Sequence, residues 1–418
     1  MSSLQCITFE NTYSSIPPGI WRGILKLDKP HSTASTSEEE IDKAFNYKEL
    51  PFNFEVIYTA KEDFHIVLHN GSERIKVDDI KFGRDKKTGR DTVLINFPVY
   101  DTYIKALYEE NIMEGAWFVN YKEDYSIPFI AFHGADHRFP IKTTKPSQDI
   151  SGSWKCLFDF DKPGDEYPAL GVFSLKDDKL LGTFQTETGD YRFLDGNMNG
   201  DKFALSCFDG SHAFLFEGKV FEDGNALGTF YSGKHYKANW QGSKDNDYTL
   251  ESPYNLTKST SDAAFDFSFK DTDGKLVSLN DPQFKGKNKL VQIIGTWCPN
   301  CRDESKFLVE YLDTKKPKNL EVIAIAFERY REEDKALGAI NRYREKMKIP
   351  YPVLYGGYYD KKETSEKFPQ LNEIISYPTL LFIDKNNKIK KIHTGFNGPA
   401  TEQYLEFKDE FEQIIQAL

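Results

Sequence analysis

The chain has 418 residues, 39% apolar and 28% charged, with a formal net charge of -11 at pH 7. An acidic chain without a basic stripe suits a phosphate backbone poorly, so no nucleic-acid partner is expected. There is no apolar run of about 18 residues to form a transmembrane segment, residues 1–20 lack the apolar core of an export signal, and five cysteines are too few for a disulfide scaffold.

Aromatic residues make up 15% of the chain, which favours β-rich architecture. Two stretches early in the chain resemble each other. PGIWRGILKLD (Pro18 to Asp28) and SGSWKCLFDFD (Ser151 to Asp161) share Gly-x-Trp, a basic residue and alternating apolar positions. ELPFNFEV pairs with EYPALGVF, and SERIKVDDIKFG with DYRFLDGNMNGD; Pro51 and Pro168 are 117 residues apart, Arg74 and Arg192 118. A near-constant offset predicts an internal repeat. The first copy adds HSTASTSEEEIDKAFNY (His31 to Tyr47) and the charged hairpin tip RDKKTGRD (Arg84 to Asp91), insertions that loop tips tolerate.

Each copy reads as short strands of period two: FEVIYTA, FHIVLHN, TVLINFP, KLLGTFQT, KFALSCF, HAFLFEGKVF and NALGTFYS. That pattern predicts antiparallel meanders, closed or nearly closed. Gly-x-Trp on the first strand faintly resembles the lipocalin-like barrels. Cys6 reads as a loop thiol. Cys156, beside Trp154 and Phe158, and Cys207, beside Phe203 and Leu205, read as core thiols, with a bridge between them left open. Ser211-His212 lacks a Gly-x-Ser-x-Gly elbow and reads as a strand entry.

After a polar, turn-rich stretch the period changes. FDFSFK and KLVSL form a hairpin around Thr272–Gly274. Asp271–Gly274 reads as that turn, since no Glu closes a calcium loop. Strand KLVQIIG, a helix from about Pro299, strand EVIAIAFE, a helix over Glu332–Lys348, strand YPVLYG, a short helix, the hairpin TLLFIDKNNKIKKIHTG and a helix from Thr401 complete the chain. Strands alternating with helices imply crossover units on a central sheet. The fold class expected is therefore multidomain: two antiparallel β modules, barrel- or sandwich-like, followed by an α/β domain. The expected boundaries are 1–147, 148–248, a linker at 249–261, and 262–418.

The chemistry concentrates in GTWCPNC. Cys298 falls at a helix N-terminus, where backbone N–H groups and the dipole favour a thiolate. Cys301 lies one turn in, on the face continued by Ser305, Leu308 and Leu312. One exposed, acidic thiol and one covered thiol suit a two-step exchange, in which the first attacks a disulfide and the second releases the product. A zinc site would need a second ligand pair; none follows, and His393 is the domain's only histidine, so no metal is expected. Pro378 stands immediately before an apolar strand, where proline is tolerated. The isomer of Tyr377–Pro378 is left open by local sequence, although a cis bond would bring the Tyr377 backbone to the surface.

With these residues in view, 262–418 resembles the thioredoxin-fold thiol–disulfide reductases of the TlpA and ResA type, through FDFSFKDTDGKLVSL, GTWCPNC and ISYPTLLFIDKNNKI. The resemblance implies that Cys298 is the nucleophile, that Cys301 resolves, that Pro378 is cis and opposes them, and that Trp297 is the family's Trp before the first Cys. It implies exchange with a client protein carrying a disulfide, as a reductant, supplied by an upstream thiol electron donor and without a cofactor. The first 250 residues more weakly resemble β modules preceding this domain in bacterial envelope proteins, through TGDYRFLDG and FDGSHAFLF, which implies a periplasmic or envelope location.

There are departures from the pattern. Gln292 stands where thioredoxins carry a buried Asp, and Gln cannot accept a proton. Pro299 and Asn300 stand where some relatives place an acid. Glu328, ending EVIAIAFE, is a candidate replacement, though it reads first as a solvated strand-end acid. Asp303 and Glu304 are expected to stabilise the helix start and to oppose a nearby thiolate. Two rival readings stand beside this one. A peroxiredoxin would need Pro-x-x-x-Thr-x-x-Cys, whereas Thr296 is two before Cys298. A ligand- or wall-binding protein would carry the redox domain as an accessory.

Overall fold

The computed structural model describes residues 15–27, 48–60, 63–140 and 144–418. Cys6 and the stretch His31 to Tyr47 lie outside the described residues. The described chain forms two compact units. The first holds residues through Pro140 apart from Asn70–Ser72 and Pro98–Asp101, which belong with the rest of the chain in the second.

The first unit is built on a nine-stranded antiparallel sheet in the order β4-β3-β2-β1-β9-β8-β7-β6-β5. The strands are β1 (Gly19–Lys26), β2 (Glu49–Tyr58), β3 (Phe64–Asn70), β4 (Glu73–Val77), β5 (Ile80–Arg84), β6 (Asp91–Phe97), β7 (Thr102–Glu109), β8 (Ile112–Val119) and β9 (Ser126–His133). Strict alternation places Thr102, Ile104, Ala106 and Tyr108 inward along β7. Trp21 is fully buried and donates its indole N–H to Pro17 O at 3.0 Å. The charged tip between β5 and β6 is clasped by Arg84 and Asp91 at 2.8 Å.

The second unit begins with a further antiparallel sheet: β10 (Gly152–Phe158), β11 (Tyr167–Lys176), β12 (Lys179–Thr186), β13 (Gly189–Asp190), β14 (Leu194–Asn199), β15 (Lys202–Phe208), β16 (Ala213–Val220), β17 (Asn225–Ser232) and β18 (Tyr236–Lys244). Because β11 pairs with both β10 and β12, and β12 with β14, the long strands close into a barrel. Its interior is filled by aromatic rings. Phe184 stacks on Phe216 at 4.7 Å, Phe216 on Phe230 at 4.4 Å, and Phe158 meets Phe184 edge-on at 5.2 Å. Trp154 donates to Ile150 O at 2.8 Å. Cys156 and Cys207 are buried and are not bridged to each other, and burial pushes the Cys156 thiol up to about 12.

The remainder is an α/β layer fold. Its strands are β19 (Ser268–Lys270), β20 (Leu276–Ser278), β21 (Asn288–Ile294), β22 (Leu320–Glu328), β23 (Val353–Tyr358), β24 (Thr379–Ile383) and β25 (Ile389–Thr394), in the order β20-β19-β23-β22-β21-β24-β25. Its helices are α1 (Pro299–Lys315), α2 (Glu333–Met347), α3 (Lys361–Glu366) and α4 (Gln403–Ala417). β21 pairs in parallel with β22 and antiparallel with β24, so it lies inside the sheet, buried on both faces, with Gln292 as the polar residue in the middle of its apolar stretch. Its carboxyl end is where an open α/β sheet leaves a crevice. Among the described residues no helix is long and apolar enough to cross a membrane.

The polar stretch before this domain is fastened to it. Thr394 N–H donates to Pro253 O at 3.0 Å, Thr257 N–H to Thr394 Oγ1 at 3.2 Å, Thr260 N–H to Gln370 O at 2.8 Å and Asn372 N–H to Lys258 O at 3.0 Å. Each such bond contributes about 1 kcal/mol before the cost of ordering the strap. A fragment starting at Glu251 should therefore unfold cooperatively in urea and be more stable than one starting at Asp262, by roughly 2 kcal/mol. Equal midpoints would show that the strap adds nothing.

Candidate active site

β21 delivers the chain to Gly295-Thr296-Trp297, and α1 starts directly after. Cys298 is the N-cap of α1, with φ -97° and ψ 113°, and Pro299 occupies the first turn, where its missing N–H is no loss. Cys301 N–H points at Cys298 Sγ at 3.1 Å. The two sulfurs form a disulfide with a Cα–Cα distance of 5.2 Å. When reduced, a thiolate at Cys298 would receive that N–H and the positive end of the helix. The expected contrast in burial is only partly found. Cys301 is fully buried, but Cys298 is also covered, at 6% exposed. An open helix end was expected there, and the segments that cover it lie too far away in sequence to be seen locally.

Pro378 faces the pair. The Tyr377–Pro378 bond is cis, and Tyr377 O lies 3.5 Å from Cys298 Sγ. Tyr377 is 7% exposed, so its backbone is covered rather than at the surface. Its hydroxyl meets Thr364 Oγ1 at 2.6 Å and donates to Tyr359 O at 3.0 Å. Gly395 N–H holds Pro378 O at 2.8 Å. Trp297 donates to Phe327 O at 3.0 Å, and the Arg329 guanidinium covers its ring at 4.1 Å. Asn300 Nδ2 reaches Asp190 O at 3.5 Å.

Behind the cysteines lies a buried polar cluster. Gln292 is fully buried; it donates to Glu304 Oε2 at 2.7 Å and accepts from Ser305 Oγ at 3.1 Å and Tyr351 OH at 3.4 Å. The Tyr343 hydroxyl lies 2.9 Å from Ser305 Oγ and 3.3 Å from Cys301 O. Glu304 does not serve the exposed helix start as expected. It is fully buried on the Cys301 face, one turn on, and its Oε1 has no partner. Burial pushes its carboxyl up to about 8 against the pull of the Gln292 hydrogen bond. Asp303 pairs with Arg192.

Glu328 is likewise not a solvated acid. It is 1% exposed, and its two oxygens accept from Thr296 N–H at 3.1 Å and Thr296 Oγ1 at 2.8 Å. Burial pushes it up to about 7 despite those bonds. The signal for Glu304 was available in the sequence: it shares the i, i+3 spacing of Cys301 and flanks Ser305, on the face assigned to the sheet. Among the described residues no cluster of three or more His, Cys, Asp or Glu could hold a metal ion.

A central strand leading into a Cys-x-x-Cys helix start, opposed by a proline loop, defines the class of thioredoxin-like dithiol proteins. The redoxin family model matches residues 259–406. Thioredoxin-like protein YneN of Bacillus subtilis (strain 168) is 31% identical over 130 residues, 31% of this chain and 68% of that protein. Thiol-disulfide oxidoreductase ResA of Bacillus thuringiensis subsp. konkukian is 26% identical over 140 residues, 34% of this chain and 70% of that protein. Among solved structures, a thioredoxin-family thiol:disulfide interchange protein from Chlorobium tepidum TLS aligns over 37% of this chain and 93% of its own, with 26% identity and a TM-score of 0.28. The chain belongs to the redoxin family and is a thiol–disulfide oxidoreductase.

The two buried acids set a pH dependence of stability. Glu304 is raised from the usual 4.5 to about 8 in the folded state. Between those values the unfolded chain has lost a proton that the folded chain keeps, so stability is full below about 4.5 and declines as pH rises through 8. The decline is up to about 1.4 kcal/mol per pH unit per group. Urea titrations from pH 5 to 8 should show this slope and should show it reduced in Glu304→Gln. A stability that rises over that range would contradict the burial of a protonated Glu304.

Proposed function

We propose that this protein reduces disulfides in client proteins, with Cys298 as attacking thiolate and Cys301 as resolving thiol. The Cys298 sulfur attacks one sulfur of the client's disulfide; that bond breaks and the other client sulfur leaves as a thiolate. Cys301, once deprotonated, attacks the Cys298 sulfur, and the second client thiolate departs. The client gains two electrons and the Cys298–Cys301 disulfide forms. An upstream dithiol donor must return the two electrons for another turnover. The observation that carries this reading is the pairing of Cys298, at the N-cap of α1 with Cys301 N–H at 3.1 Å, with a fully buried Cys301 behind it.

The proton of Cys301 goes to the ionised form of Glu304 in this reading, a form that grows as pH rises toward 8. Glu304 shares the helical face of Cys301 and has a free, buried Oε1, whereas both oxygens of Glu328 are held by Thr296. An acid raised to about 8 is well matched to a thiol. Glu328 fixes the Gly295–Cys298 turn through Thr296, and Gln292 holds Glu304. Pro378 and Tyr377 form the opposing wall, with Trp297, Pro299 and Asn300 shaping the rim.

The chain divides in this reading into β modules over 1–147 and 148–248, a linker at 249–261 and the redox domain over 262–418. The modules as a repeat are supported by matched details: Gly19 at φ 105° and Gly152 at φ 106°, each two residues before a buried Trp that donates to the carbonyl four residues back. Their resemblance to envelope modules supports a location outside the cytosol, in the periplasm or cell envelope, where client disulfides persist.

Cys298→Ser should abolish insulin reduction, and Cys301→Ser should accumulate a mixed disulfide with the client. Trapping by Cys298→Ser instead would reverse the roles. Glu304→Gln should slow release of the mixed disulfide by about 100-fold while sparing the first attack. If Glu328→Gln produces that effect and Glu304→Gln does not, the proton goes to Glu328.

A further inference from the structure

The closed barrel within the second unit sends one hairpin to the segments around the dithiol. β12 and β13 pair through Gln185 with Asp190 and Thr186 with Gly189, leaving Glu187 and Thr188 at the tip. The hairpin touches each of the three segments that border Cys298. At the Pro378 loop, Ser376 Oγ donates to Thr188 O at 3.3 Å. At the loop after β25, Gly189 makes a parallel β-bridge with Phe396, and Gly398 N–H donates to the Asp190 carboxylate. At the start of α1, Asn300 Nδ2 reaches Asp190 O at 3.5 Å, and Arg192, 2% exposed, pairs with Asp303.

The fit is backbone-close. Gly189 sits at φ 146°, and a Cβ there would collide with the Asn300 amide. A Cβ on Gly395 would lie 2.6 Å from the Thr188 carbonyl. These contacts use main-chain groups of an extended segment against the edges that flank the sulfurs. An extended polypeptide bearing a disulfide would have to use the same edges to bring its sulfur to Cys298, which is only 6% exposed.

We propose that the β12–β13 hairpin occupies the client groove as an internal stand-in for an extended client segment. It gates the dithiol: the hairpin must lift before a protein disulfide reaches Cys298, and an arriving client takes over its contacts with Ser376 and Phe396. This rests on the exchange reading above for its client but not for its test.

The test is the rate at which iodoacetamide labels Cys298 in the reduced full-length protein, followed by peptide mass spectrometry. Asp190→Ala removes the acceptor for Gly398 N–H and, within the hairpin, for Arg192 N–H, and Gly189→Ala drives a Cβ into the Asn300 amide and forces the hairpin away. Neither residue contacts a sulfur in the structure's hydrogen-bond network. Losing one buried hydrogen bond to a charged group shifts the closed–open balance by about tenfold, so labelling of Cys298 should quicken about tenfold in Asp190→Ala. Cys156 and Cys207, buried in the barrel core, should stay as slow as in the parent protein. An unchanged Cys298 rate in both variants overturns the gate. So does parallel quickening at Cys156 and Cys207, which would mean general loosening. If Cys298 quickens selectively but no form reduces insulin, the gate stands and the exchange reading fails.

Discussion

The rest of the redox domain depends on one junction: an unbroken buried strand that ends within four residues of a helix N-cap. β21 is hydrogen-bonded on both sides and buried on both faces, so the position of Gly295 is fixed by the sheet rather than by a loop. Cys298 inherits that rigidity. Its sulfur is placed against two fixed groups, the Cys301 N–H at 3.1 Å and the Tyr377 carbonyl at 3.5 Å. The first favours a negative sulfur and the second does not, so the site supports a thiolate without making it inert.

Beneath the junction, the chain buries two acids; Arg329 and Arg342 pull Glu328 down without outweighing its burial. Glu304 and Glu328 are both raised by burial, and the groups that hold them are neutral: Gln292 and Thr296. Neutral donors leave a carboxyl near the range where it exchanges protons with a thiol, whereas a buried Lys or Arg would have held it ionised. The arrangement lowers stability at high pH, a common cost of a working site.

Much of this was legible in the sequence. Period-two strands, the change of period after the polar stretch and the Cys-x-x-Cys after an apolar run are local signals, and local signals survive without a fold. Gln292 was noticed as a departure, but its meaning was not, because its partner Glu304 lies twelve residues on and meets it only when α1 packs on β21. Glu328 was read as solvated because a strand end usually is; the turn at Thr296 folds over it. The burial of Cys298 was illegible for a similar reason. The segments around it are met by Thr188, Gly189 and Asp190, over 100 residues earlier and unremarkable as a turn.

The barrel is therefore more than a neighbour in sequence. Its interior is filled by its own aromatic rings, and the parts of it that meet chemistry are a hairpin and the Ser211 hydroxyl, 3.3 Å from Trp297 O. In the proposed reaction the dithiol gives up electrons. The direct measurement is the reduction potential of the Cys298–Cys301 pair in the full-length protein, by equilibration with glutathione or dithiothreitol buffers. A value near that of thioredoxin, about -270 mV, is what the account predicts. A value near that of DsbA, about -120 mV, would make the protein an oxidant and contradict it.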